Sequence, residues 1–222
     1  MKAGIIPTLS LAAGLLLGGQ ANADQASAQR LLQAAGAGDL PTVDALLEQG
    51  MAVDVRDAQG NTPLLLATAA NRVEVARRLM DAGADVNLQN RMQDSAYLLA
   101  GASGYQQILE LTLAHGADLR STNRFGGTAL IPACERGHVD TVRTLIAAGV
   151  DLDHVNKLGW TCLLEAVLLG DGGPAHQRIV ELLIAADADL DLPDKDGVTP
   201  LQHAEQRGQR EIAAKLRAAG AR

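Results

Sequence analysis

A spacing of 33 residues constrains this chain more than any other feature. The segments GNTPLLLATAANRVEVARRLMDAGADVNLQNRM, QDSAYLLAGASGYQQILELTLAHGADLRSTNRF and GGTALIPACERGHVDTVRTLIAAGVDLDHVNKL begin at Gly60, Gln93 and Gly126. Further copies begin at Gly159 and Gly197, and residues 25–59 carry a weaker version. A fixed period of this size means stacked supersecondary units, none of which buries its apolar face alone. The step from Gly159 to Gly197 is 38 residues, so one copy carries five extra. Matching His176 to His138 places the surplus at Asp171–Ala175, inside GDGGPA.

Each copy reads as two short helices. Thr62, Thr128, Thr161 and Thr199 precede apolar stretches, where a hydroxyl can cap free N–H groups. Pro63 and Pro200 follow at the first helical position, where a missing N–H costs little. Leu64, Ala67 and Thr68 recur at the spacing of one helix face. Val75/Leu79, Ile108/Thr112, Val142/Leu145 and Ile179/Leu183 supply the buried stripe of the second helix. Of the 222 residues 47% are hydrophobic but 2% aromatic, which favours closely stacked Leu- and Ala-rich helices over an aromatic β core. The final QREIAAKLRAAGAR mixes Lys and Arg with its apolar positions, as a terminal unit with one wet face requires.

The stretches GNTPLLLA beside GADVN, and GVTPLQHA, resemble the ankyrin repeat, whose pattern runs G-x-T-P-L-H-x-A, then G-H, then L-L-x-x-G-A-D-V-N. The resemblance covers residues 25–222. It implies an all-α ankyrin-repeat solenoid of about six stacked helix-turn-helix units joined by β-turn or hairpin loops. The N-terminal cap is then 25–59, the repeats 60–92, 93–125, 126–158 and 159–196 (insertion at 171–175), and the C-terminal cap 197–222. Three departures stand out. Gln93 and Ser95 replace the usual Gly and Thr, Pro132 falls inside a first helix, and Asp187 replaces a Gly. The turn of the second repeat, 93–125, is therefore expected to be the weakest.

Residues 1–23, MKAGIIPTLSLAAGLLLGGQANA, have Lys2, an apolar run and an A-x-A site before Asp24. That order predicts a cleaved secretory signal peptide and a periplasmic location, since the run is short of the ~20 residues a spanning helix needs. Cleavage leaves 18 basic and 26 acidic side chains, a net charge of −8. Such a chain repels nucleic acid, and no membrane association is expected after cleavage. Its oligomeric state is not encoded in any recognisable pattern.

Cys134 lies late in one first helix and Cys162 opens the next. Packed helices are ~8–10 Å apart, and five residues of axial offset add ~7 Å. A bridge requires Cα atoms within ~7 Å. Free, buried thiols are the expectation.

Catalytic and metal chemistry find little footing. The five histidines make no recognised ligand spacing, and GASGY is not a nucleophile elbow. Placing Gly197 sixth in a calcium loop puts Leu192 first and His203 twelfth, both wrong. No enzyme activity, cofactor or metal is expected. The alternative is a small-ligand or ion site at the acidic 187–196 loop or the 171–176 insertion.

The family resemblance implies a protein partner on the concave side. Carried over residue by residue, its usual contact positions are Arg91, Met92 and Asp94, then Arg124, Phe125, Glu135 and Arg136, then Lys157, Leu158, Trp160 and Leu168. Asp171 in the insertion extends the patch. Phe125 and Trp160 are the only Phe and Trp of the chain, and exposed aromatics with Arg are what binding hot spots are made of. The resemblance extends to exported bacterial ankyrin proteins, which implies a non-enzymatic binding module, in one form an accessory to a periplasmic stress enzyme.

Overall fold

The computed structural model describes the backbone of residues 12–222 and the side chains of residues 23–222. Of the predicted signal peptide, residues 1–11 lie outside the described residues, and the backbone of residues 12–23 belongs to the first helix, Ala12–Ala37. Twelve helices and no strand occur among the described residues. They form six pairs: α1 (Ala12–Ala37) with α2 (Leu40–Glu48), α3 (Pro63–Ala69) with α4 (Val73–Asp81), α5 (Ala96–Ser103) with α6 (Gln106–Ala114), α7 (Leu130–Glu135) with α8 (Val139–Ala148), α9 (Cys162–Leu168) with α10 (Pro174–Ala185), and α11 (Pro200–Gln206) with α12 (Arg210–Ala218). The odd-numbered helices pack in one row and the even-numbered in a second, each helix against its counterparts in adjacent pairs. No helix among the described residues is long and apolar enough to cross a membrane.

One apolar core runs the length of the stack, from Leu31 in α1 through Leu64, Leu79, Ile108, Leu145 and Leu183 to Leu216 in α12. Each pair contributes a few side chains, so its stability depends on neighbours being in place. Hydroxyls cap the odd helices: Thr62, Ser95, Thr161 and Thr199 each accept from the N–H three residues on. The second repeat keeps its turn. Gln93 adopts φ 60° in place of the usual Gly, and Asn90 secures the loop by accepting from the Met92 and Asp94 N–H groups.

The departure falls instead in the third repeat. Thr128 does not cap, its hydroxyl is buried without a hydrogen-bond partner, and α7 has Ala129 at its N-cap position. The cause is Pro132. In the other repeats the carbonyl of the capping residue accepts from the N–H four residues on, at Leu66, Leu99, Glu165 and His203. Proline has no N–H to offer there, so α7 begins a residue late and is the shortest helix described, at six residues.

The expectation of free thiols is overturned. Cys134 and Cys162 form a disulfide with Cα atoms 5.6 Å apart, and both are fully buried. The five-residue offset does not separate them, because adjacent odd helices are staggered: the end of each meets the start of the next. The preceding repeat shows the same stagger at Gly101 and Ala129, one period before the cysteines. A Cβ on Gly101 would lie 2.8 Å from that of Ala129.

The insertion splits in two. Asp171–Gly173 form a loop, while Pro174 and Ala175 add to the front of α10, which reaches 12 residues. His176 anchors the loop, with Nδ1 2.8 Å from Asp171 Oδ1 and Nε2 2.9 Å from the Glu135 carbonyl.

Candidate protein-binding groove

The loops that precede the odd helices are fastened to one another across repeats. The Arg91 N–H donates to the Gln59 carbonyl and the Lys157 N–H to the Phe125 carbonyl, at 3.0 and 2.9 Å. The second of these bonds sets Phe125 and Leu158 side by side. Below them α7 and α9 leave a groove of about 200 Å³. Ile131 and Pro132 of α7, Glu135 at its end, and Glu165 and Leu169 from α9 and the residue after it line this groove.

The exposure of this groove is unusual for the chain. Five large apolar side chains are exposed among the described residues: Met92, Phe125, Val155, Leu158 and Leu169. Three of the five, Phe125 at 52%, Leu158 at 47% and Leu169 at 49%, line this one groove. Arg124 holds the Phe125 ring from one face, its guanidinium carbon 4.8 Å from the ring centroid, and also faces Asp94 at 3.8 Å. A larger hollow of about 510 Å³ lies between α1 and the loop at Arg56–Gln59, but none of the five exposed apolar side chains lines it.

Glu165 is the groove's electrostatic centre. It is 95% buried, and the Asn156 side-chain amide donates to its Oε1 at 2.8 Å. Burial, reinforced by the charge of Glu135, pushes its pKa up to about 7 against the opposing Asn156 bond.

The predicted contact residues divide. Phe125, Glu135 and Leu158 come together in the groove, with Arg124 behind the Phe125 ring. Lys157 Nζ donates to the Arg124 carbonyl at 2.9 Å and braces the rim. Arg136 points away, donating to the Ala102 carbonyl at 2.7 Å. Trp160 is half-buried and does not line the groove, and Leu168 is half-buried while the next residue, Leu169, takes the exposed position. Asp171 is exposed and connects to the groove only through His176 and the Glu135 carbonyl. Of the positions in the second repeat, Arg91 and Met92 are exposed outside the groove.

Leu169, Ile131 and Pro132 are absent from the predicted contacts. No local pattern marks Leu169: Ala70 and Gly104, which follow α3 and α5, are half-buried, whereas Leu169 is exposed. In the acidic loop, Asp189 Oδ1 accepts from the Asp191 N–H, Asp191 Oδ1 from the Arg222 N–H, and Asp194 from the N–H groups of Asp196 and Val198 and from His203. These carboxylates brace turns.

Comparison with known proteins agrees with the geometry. The family model for ankyrin repeats matches residues 9–90 and 97–194, with three copies. This chain belongs to the ankyrin-repeat family. An ankyrin repeat domain from Acinetobacter baumannii AYE (ABAYE2397) is 58% identical, with a TM-score of 0.85 over 86% of this chain and 98% of that one. The ankyrin repeat protein EF0377 is 44% identical, with a TM-score of 0.83 over 86% and 97% of the two chains. The ankyrin repeat domain of Bcl-3, a member of the IkappaB family, is 29% identical at a TM-score of 0.77, covering 87% of this chain and 86% of its own. A curated relative, the putative ankyrin repeat protein YahD of Escherichia coli K12, is 53% identical over 57 residues, 26% of this chain and 28% of its own length. Ankyrin repeats are in general protein–protein interaction modules.

Proposed function

We propose that this chain is an exported bacterial ankyrin-repeat protein that holds a protein partner in the groove between α7 and α9 and performs no chemistry of its own. The observation that carries this reading is the gathering of Phe125, Leu158 and Leu169, all exposed, around one groove. Contiguous exposed apolar surface bounded by polar groups marks interaction sites. The Cys134–Cys162 bond ties together the two helices that line the groove, so little ordering is needed on binding. The same bond supports export, because disulfides persist in oxidising compartments, and it fits the signal peptide expected at residues 1–23. A periplasmic location is part of this proposal, with an accessory role beside a stress enzyme as its concrete form. The acidic 187–196 loop is assigned a structural role.

Affinity capture from periplasmic extract tests this, comparing the mature chain with the double variant Phe125→Ala, Leu158→Ala. Both side chains are half exposed, so the variant is expected to fold, as circular dichroism will check. Partners bound by the native chain should be lost from the variant. Retention of every partner at unchanged affinity refutes the groove as the docking site.

A further inference from the structure

The groove combines apolar walls with two carboxyl groups, and no cation among the described residues answers them. Neither Glu135 nor Glu165 takes part in an ion pair among the described residues. Three nearby cationic side chains are committed elsewhere. Arg124 lies on the Phe125 ring and faces Asp94, Lys157 reaches the Arg124 carbonyl, and Arg136 reaches the Ala102 carbonyl. Glu165 is 95% buried with one oxygen held by Asn156, and no second hydrogen bond engages its carboxyl group. An acid so placed, beside a second acid, is costly to ionise. Its pKa, pushed up to about 7 by burial and by Glu135, reflects that cost.

Size narrows the occupant. About 200 Å³ is below the ~300–1,000 Å³ of small-molecule sites, and suits one long side chain presented by a larger partner. Long cationic side chains lay their methylene stems on apolar surface and carry the charge at the tip. A net charge of −8 on the mature chain also favours approach of a basic surface.

We propose that the groove accepts a single Lys or Arg side chain of the docked protein, its stem packed between Phe125, Leu158 and Leu169 and its charged head between Glu135 and Glu165. This rests on the docking reading above and specifies what the partner must present. The head group supplies the missing countercharge, and the apolar rim excludes water from the contact. Selectivity for a basic anchor follows, because an uncharged side chain leaves the two acids uncompensated.

The test uses a random dodecapeptide library displayed on phage, selected against the full mature chain, with the selected peptides then measured by calorimetry. Peptides should carry one invariant Lys or Arg next to apolar residues. Replacing that residue by norleucine, or using the variant Glu135→Gln, Glu165→Gln, should weaken binding by at least about tenfold. The variant Phe125→Ala, Leu158→Ala should abolish it. Peptides that need Phe125 and Leu158 but tolerate both the norleucine and the glutamine replacements overturn the basic anchor and leave the docking groove standing. Peptides indifferent to Phe125 and Leu158, or no selection at all, overturn both. Thermal unfolding of each variant separates lost binding from lost fold.

Discussion

Cys134, at the end of α7, is bonded to Cys162, at the start of α9, with their Cα atoms 5.6 Å apart. The bond spans 28 residues and ties two consecutive units of the stack. Closing a loop of that length is worth about 3–4 kcal/mol in the chain-entropy description. The variant Cys134→Ser, Cys162→Ser should unfold at markedly lower urea concentration than the native chain. Adding a reductant should lower the native midpoint and leave the variant's unchanged.

Glu165 makes stability depend on pH in a defined direction. Its folded pKa is raised from 4.5 to about 7, so the folded state holds a proton that the unfolded chain has already released. The acid therefore costs nothing below its unfolded value and increasingly more as the pH climbs to the folded one. Glu165→Gln keeps the oxygen that Asn156 contacts. The variant should match the native chain near pH 4 and exceed it by about 3 kcal/mol at pH 8, as urea titrations across that range will show.

Pro132 denies the Thr128 carbonyl its helical donor. Leucine stands at the equivalent positions 66 and 99. Pro132→Leu should restore the missing turn and raise stability by about 1–3 kcal/mol. Amide exchange at Leu130–Glu135 should slow in the same variant.

His176 braces the insertion against α7 through the Glu135 carbonyl and Asp171. Because the ring is buried, His176→Ala should cost about 1–3 kcal/mol, while Asp171→Asn should cost less. The Asp171 carboxyl is held below its ordinary value of 3.8, chiefly by the Gly173 N–H and then by His176. A depressed acid stabilises above its unfolded pKa and stops doing so as the pH falls through the folded one. The difference between the native chain and Asp171→Asn should be full at neutral pH and vanish in strong acid.

The stack was legible because its rules are local. A hydroxyl before an apolar run and a fixed period identify six helix pairs without knowledge of any long-range contact. Phe125 and Leu158 were legible for the same reason, being placed by the loop pattern. What escaped depends on how neighbouring units sit. The disulfide follows from the stagger of successive odd helices, for which the small pair Gly101 and Ala129, one period earlier, was the available sign. The lost cap at Thr128 depends on Pro132 standing where the Thr128 carbonyl would otherwise find its N–H donor. Leu169 in place of Leu168 was a matter of one residue at a helix end, and the burial that raises Glu165 came from two units closing over it.

The Cys134–Cys162 bond also matters when the molecule is held by its ends. Under tension, force passes through the sulfur atoms and skips the 28-residue span between them. At about 3.3–3.6 Å per residue, the fully stretched chain is shorter by roughly 90 Å than its reduced form. The segment out of the load path includes all of α8 and the loop that carries Leu158, so mechanical strain on the two termini would never reach that loop directly.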